Sequence, residues 1–240
     1  MPYREHSKCP YCNDTGMKFH ETSSDIGVGA LPCICVNALT INKILPLLNT
    51  VSDPPIEDIL EIGKKYKILR RDSTYKFKSC IFFGNEKRFL YLFKSICVGY
   101  YNYTSKFELL DGLQVVHKYH VEQQEGIDRD IYTLINFDLL GLTFNNETEN
   151  KAIDKTVHDT IQNRIRYDKG TWIYANSFME LRKNKGCSES TLEILTNNRL
   201  FEVFDLGDLK SFNYNGFEDL DAQNRRQTSD ANRAAAKMFS

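Results

Sequence analysis

The 240-residue chain has no excess of either charge, since 31 Lys and Arg against 32 Asp and Glu leave a formal net charge of −1. A protein that coats nucleic acid over its whole surface needs a basic excess, so that class is excluded, although a local basic patch is not. No apolar run approaches the ~18 residues that span a bilayer. The opening MPYREHSKCPYC has no apolar segment of a secretory signal, so no membrane attachment and a cytoplasmic location are expected. There is no internal repeat, no G-x-S-x-G elbow and no H-E-x-x-H helix, which leaves a hydrolase of those types without support. The seven cysteines are odd in number. Without a signal segment they read as reduced thiols, not as a disulfide framework.

What is present is an ordinary globular composition, 41% apolar and 26% charged, with 13 Tyr and 15 Phe. That is enough for one core-forming domain and a small appendage. The appendage is marked by four cysteines, Cys9, Cys12, Cys33 and Cys35, in C-x-x-C and C-x-C pairs. Two close pairs from separate turns supply the tetrahedron of soft ligands that zinc prefers. Four thiolates fill all positions, so a structural Zn2+ is expected, with His6 and His20 as possible substitutes for one cysteine. Cys80 and Cys97 lie in apolar runs and read as core residues. His117 and His120 share a helix face but have no third ligand near them.

The first ~36 residues hold little that can be buried except around a metal. A helix is expected over Ala38 to Leu48, broken by Pro46. A linker follows, and the stretch Lys65 to Lys78 mixes bases with aromatics, which suits either a single-stranded nucleic-acid groove or a guarded strand edge. From Ser79 strands and helices alternate: SCIFF, a helix from Glu86 to Tyr100, KFELL, a helix from Asp111 to Gln123, a strand over Ile131 to Asp138, a long helix from Glu147 to Tyr167, TWIYAN, and a last short strand FEVFDL. Short apolar strands separated by helices imply a parallel sheet with right-handed crossovers. The expected organisation is a zinc module over 1–37, a helical linker over 38–78, an α/β domain over 79–210 and a tail over 211–240.

These landmarks together resemble the replicative helicase loaders of bacteria and phages, in which a zinc module precedes an AAA+ ATPase domain. CPYCNDTG and PCIC are similar to their zinc module. CIFFG is similar to the strand and glycine before a phosphate loop, and KFELLDGLQ to the following strand and helix start. LINFDLLGL resembles the acidic Walker B strand, which usually ends Asp-Asp-Leu-Gly. NRIRYDKGTWIYANS resembles the segment with the sensor asparagine, and NNRLFEVFDL the one with the arginine finger. The resemblance thus implies a P-loop-like AAA+ fold and a nucleotide site drawn from Gly84, Lys87, Asp138, Asn176 and Arg199.

The departures shape the functional expectation. A working phosphate loop reads G-x-x-x-x-G-K-[ST]. At the family's spacing Phe89, Leu90 and Tyr91 stand where Gly, Lys and Ser/Thr belong, and Leu139 replaces the second Walker B acid. Phosphoryl transfer depends on those groups for position and charge, so efficient use of ATP and Mg2+ is not expected. The expectation is a loader-like DNA-replication protein that binds a replicative helicase, touches single-stranded DNA, and assembles as a possible oligomer. Two alternatives stay open: an active ATPase with a loop remodelled around Lys87, and a zinc-containing DNA-binding or helicase-inhibiting regulator.

Overall fold

The computed structural model describes residues 12–13, 15–20, 29–54, 76–101, 105–124, 133–144, 151–183 and 187–207. The chain divides into two compact units, Met1–Lys65 with Tyr91–Tyr103, and Tyr66–Leu90 with Thr104–Ser240. The expected linker beyond Pro54, most of the Lys65 to Lys78 stretch, the tail and Cys9 lie outside the described residues.

In the first unit, β1 (Met17–His20) and β2 (Gly29–Pro32) pair antiparallel as a hairpin. Helix α1 (Ile34–Ile44) follows directly, four residues before the expected start. It ends before Pro46, whose ring opens a 3₁₀ turn over Pro46–Thr50. The later part of α2 (Glu86–Tyr100) belongs to the same unit. Its Lys94 is only 1% exposed and bonds Asp53 at 2.7 Å. The same ammonium donates to the carbonyls of Leu48 (3.2 Å) and Val51 (2.7 Å). A buried ammonium is tolerated only when its donors are met, and here they tie the 3₁₀ turn in place. Asn37 adds a buried bond to Val98 O at 3.3 Å.

The second unit is an α/β layer structure. Its strands are β3 (Cys80–Phe83), β4 (Phe107–Asp111), β5 (Leu139–Thr143), β6 (Gly170–Ala175) and β7 (Glu202–Asp205). All pairings are parallel, in the spatial order β4-β5-β6-β3-β7. Helices α3 (Gly112–Gln124), α4 (Thr133–Asn136), α5 (Lys151–Arg166), α6 (Phe178–Lys183) and α7 (Glu189–Leu195) complete it. This is the expected class, a parallel sheet between helices behind a small cysteine module.

Alternation along the strands divides the core into two faces. Ile81, Leu110, Leu140, Leu142 and Ile173 meet Val115 of α3, Val157 and Ile161 of α5, Leu181 of α6 and Leu195 of α7. The opposite face is aromatic. Phe82 lies 4.8 Å from Trp172, 5.3 Å from Phe204 and 5.5 Å from Phe89 of α2 between ring centroids. Gly141 sits beside Trp172 in register. The chain leaves β3 by α2 toward the far edge and returns by helices on the other face. The sheet's switch point therefore lies beside the C-terminal end of β3, the usual place for a ligand in open α/β sheets.

One expected strand is misplaced. Ile131 to Asp138 reads as a strand, whereas Thr133–Asn136 forms α4 and the strand is Leu139–Thr143. A central parallel strand is buried on both faces, and LLGL satisfies that requirement where Asn136 and Asp138 would not. Asp138 accordingly stands at the start of β5, not at its end.

Candidate functional site

The cysteine cluster is built by three local devices. Thr15 N–H and its hydroxyl both donate to Cys12 O, at 3.0 and 2.6 Å, closing a turn behind the thiol. Gly16 takes φ +73°, and a Cβ there would lie 3.0 Å from Val36 Cγ2. Cys33 N–H then donates to Gly16 O at 2.8 Å, which brings the end of the hairpin back to the Cys12 turn. Cys33 occupies the N-cap position of α1 and Cys35 lies in its first turn.

The three sulfurs lie within 4.8 Å of one another, and Cys12 Sγ is 3.6 Å from Cys35 Sγ. That is far beyond a disulfide bond of about 2.05 Å. It is close to the ~3.8 Å edge of a thiolate tetrahedron with metal–sulfur bonds of ~2.3 Å. The donor set therefore fits a thiophilic metal ion, with Cys12, Cys33 and Cys35 as ligands.

At the C-terminal edge of the sheet, β3 turns into α2 through only Gly84 and Asn85. Asn85 Oδ1 caps the helix by accepting from Arg88 N–H at 3.1 Å. Gly84 has φ +99°, and a Cβ there would lie 2.8 Å from Gly207 O. Its N–H donates to Asn176 O at 3.0 Å. The Tyr174 hydroxyl lies 2.7 Å from Gly84 O and 2.8 Å from the Asn176 side-chain amide. Its single proton is placed to be donated to the Gly84 carbonyl or to Asn176 Oδ1. Burial raises the Tyr174 pKa, and Glu86 and Glu180 raise it further. Arg88 is buried and donates to Leu206 O. Phe89 stacks on the Tyr174 ring at 5.0 Å. The turn is thus covered by Tyr174, Arg88 and Phe89, and the carboxylates of Glu86, Glu180 and Asp205 lie near it.

The N-terminal edge is organised around Arg164, a fully buried arginine near the end of α5. Its Nε donates to Thr171 Oγ1 at 2.9 Å, and its other nitrogens donate to the carbonyls of Leu134, Phe137 and Gly170. Burial lowers its pKa to about 9 while the charge of Asp138 opposes the shift, so it stays cationic at neutral pH. Asp138 accepts from Lys106 N–H at 3.0 Å and pairs with Lys169 Nζ at 3.2 Å.

The candidate nucleotide residues are therefore divided. Gly84 and Asn176 meet at the C-terminal edge, and Lys87 is exposed in the first turn of α2. Asp138 and Arg199, the latter in the exposed turn before β7, stand at the opposite edge. The length of β5 alone, five residues, separates the edges by about 16 Å. Sequence reasoning missed Tyr174 and its stack with Phe89, a contact that joins positions far apart in the chain. It also missed Arg164, for which a signal exists: Val157, Ile161 and Arg164 share one face of α5.

No family model matches this sequence, and no curated protein matches it. Among solved structures the chain is similar to domain III of the replication initiation protein DnaA from Thermotoga maritima. The identity is 11% and the TM-score 0.45, over 65% of this chain. The chain spans 64% of the length of that domain.

Proposed function

We propose that this chain is a helicase-loader-like adaptor of DNA replication, built on an AAA+-like sheet, that docks a replicative helicase without hydrolysing ATP. The observation that supports the lack of ATP hydrolysis is the two-residue turn from β3 to α2. A phosphate loop needs several free backbone amides around an anion. Here the Gly84 amide is committed to Asn176 O, and Phe89 is committed to the Tyr174 ring. The carboxylates of Glu86 and Asp205 beside the turn repel a polyphosphate. Asp138, at the far edge, is in no position to hold a magnesium ion at that turn.

In this reading Cys9 joins Cys12, Cys33 and Cys35 around a structural Zn2+, and the folded module with α1 forms the docking element. The four-cysteine spacing and the convergence of three of the thiols support this. The protein would work in the bacterial cytoplasm, where thiols stay reduced.

The test is the native mass of the full chain mixed with the replicative helicase from its own genome or host, before and after zinc chelation. A defined complex that dissociates on chelation is expected, with one zinc per chain and no ATP turnover above background. Absence of a complex at micromolar concentrations, or turnover abolished by Asp138→Ala, would overturn it.

A further inference from the structure

The five strands of the sheet are parallel, so all the segments that lead into them lie along one edge. Among the described residues, that edge carries Lys78 before β3, Lys106 before β4, Lys169 before β6 and Arg199 before β7. Lys76 and Arg166 add to it. Three carboxylates accompany them: Asp138 on Lys169, Asp168 on Lys76 and Glu202 on Lys78. These pairs are solvent-exposed or nearly so, and such pairs contribute little and yield to competing anions. The cationic side chains of Lys106, Arg166 and Arg199 are exposed.

The line has a geometry. Neighbouring strands are about 4.8 Å apart, so the four intervals from β4 to β7 extend about 19 Å. That length faces a few successive phosphates of a single strand. In the middle of the line, between Arg166 and Lys169, stands Tyr167, which is 58% exposed. The turn that presents it is held by Asp168 at φ +55°, with Lys169 N–H bonded to Arg164 O at 2.8 Å. An exposed aromatic ring among cations is the arrangement on which an unpaired base stacks while its phosphates are neutralised. Duplex nucleic acid keeps its bases inside and has no use for the ring.

We infer that the N-terminal edge of the sheet is a binding surface for single-stranded nucleic acid, with Tyr167 as the stacking platform and Lys106, Arg166, Lys169 and Arg199 as the phosphate contacts. The inference stands apart from the helicase reading, since it requires neither the cysteine module nor a protein partner.

The experiment uses the full chain and a fluorescein-labelled oligothymidylate, with anisotropy read across a salt series. Binding is expected to weaken linearly in log–log form as salt rises. The Lys106→Ala, Arg166→Ala, Arg199→Ala triple variant is expected to reduce the slope by about 2, at ~0.7 per phosphate contact on a single strand. Tyr167→Ala is expected to weaken binding about tenfold with the slope unchanged, and Tyr167→Phe to restore it. Lys87→Ala, at the opposite edge, is expected to change neither. All these positions are exposed, so melting curves should coincide with that of the parent protein. Three outcomes would overturn the inference: no binding at micromolar concentrations, tighter binding of a duplex of equal length, or an equal loss with Lys87→Ala.

Discussion

The two edges of the same parallel sheet have opposite characters. The C-terminal edge, where an open α/β sheet offers its crevice, is closed by Tyr174, Phe89 and Arg88 and ringed by carboxylates. The N-terminal edge is bordered by bases and presents an exposed ring at Tyr167. Both are held by side-chain contacts, but of different kinds. One is sealed by a short turn and aromatic stacking, the other by a buried guanidinium that holds two segments by three carbonyls. Fold alone would direct attention to the first edge, whereas side-chain chemistry directs it to the second, because function follows the site and not the scaffold.

The most damaging way to break this comparison is Arg164→Ala. The change removes a buried cation and leaves the carbonyls of Leu134, Phe137 and Gly170 without their donor. A loss of about 3–5 kcal/mol is expected, read as a lower urea midpoint. Arg164→Lys should fall between the two, because one ammonium cannot reproduce the fork of the guanidinium. A melting curve unchanged by Arg164→Ala would mean that the N-terminal edge is held by something other than this residue.

The difference between the edges was only partly legible in the sequence. The cysteine module was, because C-x-x-C and C-x-C spacings are local and sulfur chemistry is restrictive. The helices α2 and α5 were too, since apolar positions three and four apart write the buried face directly. The register of β5 was not. INFD and LLGL are both apolar enough for a strand, and the choice is made by pairing Phe107 with Leu139, a contact formed only in the folded sheet. That shift of a few residues moved Asp138 from one edge to the other and with it the whole reading of the acid. The seal at Gly84 was legible only in outline. The missing Gly-Lys-Ser/Thr set pointed to a lost phosphate loop, but nothing local announced that Tyr174 would cover the turn.

A smaller effect is expected at the seal itself. Gly84→Ala forces a Cβ to 2.8 Å from Gly207 O at φ +99°, a conformation that side chains rarely adopt. Neither backbone can move away cheaply, since Leu206 N–H is bonded to Phe83 O at 2.7 Å. A destabilisation of about 2 kcal/mol is expected, with the denaturant slope unchanged. A neutral result would show that β3 and the end of β7 are less tightly joined than the comparison requires.

Tyr174→Phe is the mildest change and the sharpest test of what the closed edge is. It removes only the hydroxyl that bonds Gly84 O and Asn176. The ring keeps its stack with Phe89, so the turn loses hydrogen bonds and no volume. A cost of about 1 kcal/mol is expected, the usual result of leaving a half-buried carbonyl without its donor. Labelled ATP is expected to remain unbound, because the Phe89 ring and the carboxylates of Glu86 and Asp205 are untouched. Binding of ATP by Tyr174→Phe would reverse the interpretation. The seal would then be a single hydroxyl over a nucleotide site still intact beneath it, and the closed edge would be a latch.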